Sequence, residues 1–308
     1  MDTARVAPEE LPAPVTTWVN RNTLFGSLRF ARLWEVIGGR VVFWTVSSSE
    51  TITAVLPGVE FGGGKLTRFQ SMPDGLYAPL MSPSGRPAEE GSSDALVAAL
   101  ERAGYLKIVV NDFVGRAAQP DGFRRVEGET ILVDLSGGDW QPPDGKLRSE
   151  IRKAEREHVR VVDFSLNRHL DNFLDLVKRT AGRHDRQPKY RPEFYHELAR
   201  LAMIEERIRW LVCEHEGEIA ASHIYLLEGD QILYWQAHFD KNFSFLKPNQ
   251  YMTFRVAEEL RTRGFSTLNL GASPPEAEGL ADYKMKWGGR IFNYPIWERR
   301  SLLGRMLP

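Results

Sequence analysis

An α/β chain in two domains is what this sequence predicts, and three observations predict it. Its 308 residues are about twice the usual length of one domain, with 42% hydrophobic residues to build cores from. Amphipathic helical segments alternate with short runs of β-branched and aromatic residues, the pattern of mixed α/β structure. A third sign is an internal match at an offset of 160. Residues 99–112 and 259–272 both read as a helix end, a glycine, an aromatic residue and a strand, pairing Leu100 with Leu260, Gly104 with Gly264 and Tyr105 with Phe265.

The elements follow in order. Residues 1–20 are proline-rich and read as a flexible leader. A helix is expected from Asn22 or Thr23 to Gly38-Gly39, then an antiparallel strand pair over 39–47 and 50–61. Prolines and glycines across 72–87 forbid a long regular element and leave a candidate substrate-facing loop. Residues 92–104 form a Ser-capped helix, 106–112 a buried strand and 124–136 one or two more strands. Two prolines and three glycines in residues 137–145 can continue neither helix nor central strand, so the boundary is expected there, between domains 21–140 and 141–308. Beyond it come a helix over 146–158, a short strand over 159–164, helices over 167–184 and from Pro192, and a three-strand meander from 207 to 240. A helix opened by Pro248 and closed by Gly264, a strand, a short helix over 279–287 and a last strand complete the chain.

Composition excludes several classes. Forty basic against 41 acidic residues leave a net charge of −1, so no nucleic-acid coat and no DNA partner are expected. The imbalance is local: residues 1–140 carry 13 basic and 17 acidic side chains, and residues 141–308 carry 27 and 24. An anionic ligand therefore fits the second half better. The single cysteine, Cys213, rules out an intrachain disulfide and reads as a core residue. No membrane span or signal peptide is visible, and the reading is a soluble cytoplasmic protein. Histidine spacing supports no metal site. Gly62-Gly63-Gly64-Lys65 is no phosphate-binding loop, because Val59 and Leu66 stand where a glycine and a Ser or Thr are required.

Two segments carry candidate chemistry. On the helix 146–158, Leu147, Ile151, Ala154 and His158 share one face, while Arg148, Arg152 and Arg156 stack on another. That stripe is either a solvated face balanced by Glu150, Glu155 and Glu157, or a phosphate site suited to guanidinium forks. On the short helix 279–287, Tyr283, Lys284 and Trp287 either line a cleft or serve as surface and core residues.

Residues 151–161, 245–273 and 279–289, read in that order, resemble the Fem-type (FemAB-like) branch of the GNAT superfamily of acyltransferases. Thr180-Ala-Gly-Arg183 followed by Pro192 to Tyr195 adds to the likeness, which covers residues 145–295 well and 20–140 more weakly. The resemblance implies tandem GNAT-like domains, each with a mixed, mostly antiparallel central sheet flanked by helices. It also implies an enzyme that moves an acyl or aminoacyl group from an activated carrier, aminoacyl-tRNA or acyl-CoA, to an amine of a peptidoglycan or polysaccharide precursor. No tightly bound cofactor is implied. Lys284 becomes the candidate for donor phosphate contact or oxyanion stabilisation, with Arg148, Arg152, Arg183, Tyr195, Asn249, Tyr283 and Trp287 as substrate-binding candidates. Glu214, His223, His238 and Asp282 remain open as general base. One departure is plain: where GNAT enzymes seat the CoA pyrophosphate on a glycine-rich turn, residues 238–250 hold no glycine. The alternative is a non-catalytic GNAT pair that binds a nucleotide-sugar or glycan.

Overall fold

The computed structural model describes residues 1–84, 88, 91–113, 120–157, 159–183, 185–273 and 278–306; His158, His184 and residues 85–87, which entered the readings above, lie outside these. The chain forms two compact units. One comprises Met1–Gly128 with Asn293–Pro308, the other Glu129–Phe292. The boundary expected at 137–145 thus falls inside the second unit.

The first unit contains β1 (Asp2–Val6), α1 (Ala13–Asn22), α2 (Leu28–Ala31), β2 (Arg40–Ser48), β3 (Thr51–Phe61), β4 (Arg68–Ser71), α3 (Ser92–Arg102) and β5 (Lys107–Asn111). Its strands lie in chain order, β1 through β5. All neighbours are antiparallel except β4 and β5, which run parallel. Alternation along each strand sends Trp44, Leu56 and Ile108 toward Leu96, Ala99 and Leu100 of α3. The expected flexible leader is instead built into the sheet. Asp2–Val6 pairs with Phe43–Ser47, and Arg5 donates two hydrogen bonds of 2.6 Å to Glu60 on β3, whose carboxylate also accepts from Arg40 and Tyr105. The loop after β4 is likewise no open substrate loop in its first half. Met72, Leu76 and Ala78 are fully buried, and the Asn111 side chain donates to the Met72 and Leu76 carbonyls.

Strand β6 (Arg124–Asp134) begins in the first unit and ends in the second. There follow α4 (Gly145–Arg156), β7 (Arg160–Asp163), α5 (Leu166–Gly182), α6 (Pro192–Ala202), β8 (Ile208–His215), β9 (Glu218–Glu228), β10 (Gln231–Phe239), α7 (Pro248–Thr262), β11 (Thr267–Asn269) and α8 (Glu278–Met285). The order is again sequential from β7 to β11, antiparallel except for β10 and β11, and β6 pairs antiparallel with β11. Strand β12 (Arg290–Arg300) returns to the first unit, where Ile296–Arg300 pairs antiparallel with β5, and α9 (Leu302–Met306) follows. Each unit therefore holds five strands of identical order and sense, completed by a sixth from the other half of the chain. The expected mixed, mostly antiparallel sheet flanked by helices is present in both.

In the second unit Leu147, Ile151 and Ala154 of α4 and Met252, Val256 and Leu260 of α7 cover one sheet face, together with Cys213. Burial pushes the Cys213 thiol up to about 12, which removes it as a nucleophile. Phe173 of α5 and Tyr195 of α6 stack edge-on against the opposite side.

The Glu60 cluster yields a pH test. Burial would raise its carboxyl, but hydrogen bonds from Arg5, Tyr105 and Arg40 outweigh it and hold the group below the usual carboxylate range. Its contribution is therefore present above the unfolded value near 4.5 and lost as pH falls through the folded one. Glu60→Gln should cost about 3 kcal/mol near neutrality by urea denaturation. The gap from wild type should shrink below pH 4.5.

Candidate active site

Parallel pairing of β10 with β11 lasts three residues, Gln231–Leu233 against Thr267–Asn269. Strand β10 continues to Phe239 with β9 on its other side, through a bulge between Tyr234 and Gln236. From Tyr234 onward its outer edge has no strand partner among the described residues.

What turns β11 aside is visible. Gly271 takes φ +74, a left-handed conformation, and the Lys284 ammonium of α8 donates to the carbonyls of Gly271 at 3.0 Å and Ala272 at 2.6 Å. Lys284 is 4% exposed, and burial lowers its pKa to about 8. The candidate catalytic lysine is thus a strap on the chain's own carbonyls.

Both faces of the free edge carry polar groups. Toward α7, the His223 Nε2 lies 2.9 Å from Asn249 Oδ1 and 3.3 Å from the Tyr234 hydroxyl, while Nδ1 lies 2.8 Å from the Tyr225 hydroxyl, itself 3.3 Å from Thr253 Oγ1. As oriented, Nε2 carries the proton and Nδ1 accepts from Tyr225. Burial brings His223 down to about 4, so the ring is neutral at pH 7 with both nitrogens engaged. It positions Asn249. Toward α5 and α6, Tyr195 donates to Gln236 Oε1 at 3.2 Å. Among the described residues, the Gln236 amide nitrogen and both His238 ring nitrogens are buried without a hydrogen-bond partner, as are the Tyr283 hydroxyl and Ser273 Oγ. Burial and, secondarily, the Arg183 charge bring His238 down to about 4; burial raises Tyr283, which stays protonated.

The structure gathers four of the residues singled out from sequence around this edge. Tyr195 meets Gln236, Asn249 meets His223, Arg183 lies with its guanidinium 4.7 Å from the Phe239 ring, and Tyr283 lies within electrostatic reach of Tyr225 and Tyr234. The others go elsewhere. Arg148 donates to the Pro142 and Pro143 carbonyls, Arg152 is exposed on α4, and Trp287 is fully buried and stacked on Trp140. Among the base candidates, Glu214 is held by Arg168 at 2.8 Å and His169 at 3.0 Å, and Asp282 is exposed. Sequence reading did not select Gln236, Tyr234 and Ser273. The available signal was Gln236 and His238 alternating on one face of an otherwise apolar strand.

At the start of α7, where the glycine turn is absent, Lys247 occupies φ +55 and Pro248 lacks an N–H. Its neighbour is a carboxylate: Glu150 lies 3.2 Å from Lys247 Nζ and 3.3 Å from Gln250. No group of metal-binding side chains occurs among the described residues.

Comparisons with known proteins agree with this geometry. Residues 145–285 match the family described as acetyltransferase (GNAT) domain, which spans α4, the whole β7–β11 sheet and α8. The chain carries a GNAT-type domain and is by class an acyltransferase. Its fold is similar to that of FemX, with a TM-score of 0.71 at 12% identity over 99% of this chain and 98% of that one. L-PGS from Bacillus licheniformis is similar at TM-score 0.60 and 16% identity, covering 96% and 95% of the two chains. A tandem GNAT protein from the clavulanic acid biosynthesis pathway gives 0.51 and 11%, covering 97% and 98%. No curated protein sequence matches the chain. Tandem GNAT-like units on the Fem-type plan are thereby the architecture of this protein.

Lys284→Met leaves two carbonyls without their donor and should cost about 2–3 kcal/mol. Because folding lowers this amine from near 10.5 to about 8, wild-type stability from this residue grows as pH rises between those values. Urea midpoints measured from pH 8 to 10.5 should show that rise in wild type and not in the variant.

Proposed function

We propose that the protein is a Fem-type N-acyltransferase that moves an acyl or aminoacyl group from an activated carrier to an amine of a cell-wall or polysaccharide precursor. The observation that carries this reading is the outer edge of β10 over residues 236–239, which pairs with no strand among the described residues and is flanked by the buried Gln236 and His238 side chains. A donor carbonyl laid along this edge accepts from a backbone N–H, which strengthens as negative charge develops on its oxygen. The neutral amine attacks the carbonyl carbon and the C–N bond forms. The C–O or C–S bond to the carrier breaks, and the amine's proton leaves with the carrier oxygen or sulfur or by water. No covalent enzyme intermediate is needed.

Side chains then take roles by chemistry. His238, near 4, is too weak a base to deprotonate an ammonium at pH 7 and instead accepts a hydrogen bond from the incoming amine. The Gln236 amide donates to the acceptor, and the protonated Tyr283 hydroxyl donates to the leaving oxygen. Asn249, held by His223, orients the donor.

Aminoacyl-tRNA is the favoured carrier over acyl-CoA. A pyrophosphate at the start of α7 meets Glu150 and one missing N–H, which opposes the usual CoA seat. A small-molecule or glycan-precursor acceptor fits the second site. No helix among the described residues is long and apolar enough to cross a membrane, and we place the reaction in the cytoplasm, where charged carriers are made.

Radiolabelled transfer decides between this reading and a non-catalytic pair that holds a nucleotide-sugar or glycan. With aminoacyl-tRNA and peptidoglycan or amino-sugar precursors, the account expects product, with kcat about 10- to 100-fold lower in Tyr283→Phe. Acetyl-CoA should be the poorer donor. Folded protein that transfers nothing from either donor would leave the binding reading in its place.

A further inference from the structure

The first unit carries a cavity of about 620 Å³ that the acyl-transfer reading does not use. It lies on the sheet face opposite α3, since Ile108 and Val110 pack toward that helix and Lys107, Val109 and Asn111 point the other way. Its volume is in the range of sites for drug-sized ligands.

Charge in this groove is unbalanced by construction. Register places Arg68 of β4 opposite Lys107 of β5, and Lys107 opposite Arg300 of β12, so three cations form one row across three strands. Like charges directly opposite on neighbouring strands repel. Arg124 adds a fourth cation, and the single carboxylate among the groove's described residues is Glu298. One Glu298 oxygen is taken by Lys107 and the other by Arg124 at 2.6 Å. Arg68 and Arg300 have no carboxylate partner among the described residues. The rest of the groove is mostly apolar and aromatic, lined by Phe61, Val109, Val126, Tyr294 and Ile296, with Gln70 and Asn111 as its uncharged polar side chains. Phe61 stands directly across from Arg68.

We propose that this groove is a binding site for a ring-bearing organic phosphate, its phosphate on the Arg68–Lys107–Arg300 row and its ring on the apolar surface of Val109, Val126 and Ile296 alongside. Two strand spacings separate the outer cations of the row, roughly 10 Å at the backbone. Their long side chains converge on a group with several acceptor oxygens, for which guanidinium forks are the matching donors. Inorganic phosphate satisfies the row but leaves the apolar lining wet; an uncharged ring does the reverse. The site is independent of the acyl-transfer reading, and its failure leaves that reading standing.

Calorimetry on the full chain tests it with four probes: 1-naphthyl phosphate, inorganic phosphate, 1-naphthol and dioctanoyl phosphatidic acid. The expected result is saturable binding of naphthyl phosphate at least 10-fold tighter than inorganic phosphate, with none for naphthol. Arg68→Gln and Arg300→Gln should each weaken it 5-fold or more and flatten its salt dependence, while Arg21→Gln, an exposed arginine on α1, leaves it unchanged. Absence of saturable binding to the wild-type chain, naphthol binding as well as its phosphate, or equal affinity in all three variants would overturn the site. Tighter binding of phosphatidic acid than of naphthyl phosphate would overturn the assignment of a ring.

Discussion

The site depends on one early separation: β10 and β11 part after three paired residues. In a fully paired sheet the Tyr234–Phe239 segment would spend its backbone groups on a neighbouring strand. Here the left-handed turn at Gly271 and the Lys284 strap on the Gly271 and Ala272 carbonyls carry the chain away, and α8 is fixed by the same contact. A buried ammonium costs solvation, and burial accordingly lowers its pKa to about 8. Two carbonyl acceptors offset part of that cost.

The duplicated plan makes the same point by contrast. Both units run five strands in the same order, with the parallel joint between the fourth and fifth. Gly104 and Gly264 close the preceding helices at matching positions with φ +70 and +95. In the first unit, however, β4 has four residues and all four pair with β5, so no edge is exposed. One copy of the joint is closed and carries a cation row on its face; the other is open and carries unmatched polar side chains.

Local features of the fold were legible where the physics is local. The glycine caps, the three-strand meander, the core position of Cys213 and the 160-residue offset all follow from periodicity and turn chemistry. The exchange of β6 and β12 was not, because alternation tells which face a residue occupies and says nothing about which strand lies beside it. The leader failed for a similar reason, since Arg5 finds its carboxylate 55 residues away at Glu60. In the site, Arg183, Tyr195, Asn249 and Tyr283 were visible through the Fem-type likeness. A lysine near a helix end reads the same whether its ammonium meets a ligand or the chain's own carbonyls, and Arg148 on an apparent cationic stripe can curl back onto linker carbonyls. Gln236 went unselected because a polar residue on a strand is ordinary unless its partners are known to be missing.

Hydrogen exchange with a stable donor analogue tests the central claim most directly. A minihelix ending in a 3′-amide-linked aminoacyl adenosine mimics the ester carrier and cannot react. On binding, amides within residues 234–239 should become protected while those of β4 and β5 stay unchanged. Saturating analogue that protects other segments and leaves 234–239 exchanging as in the free protein would contradict the account.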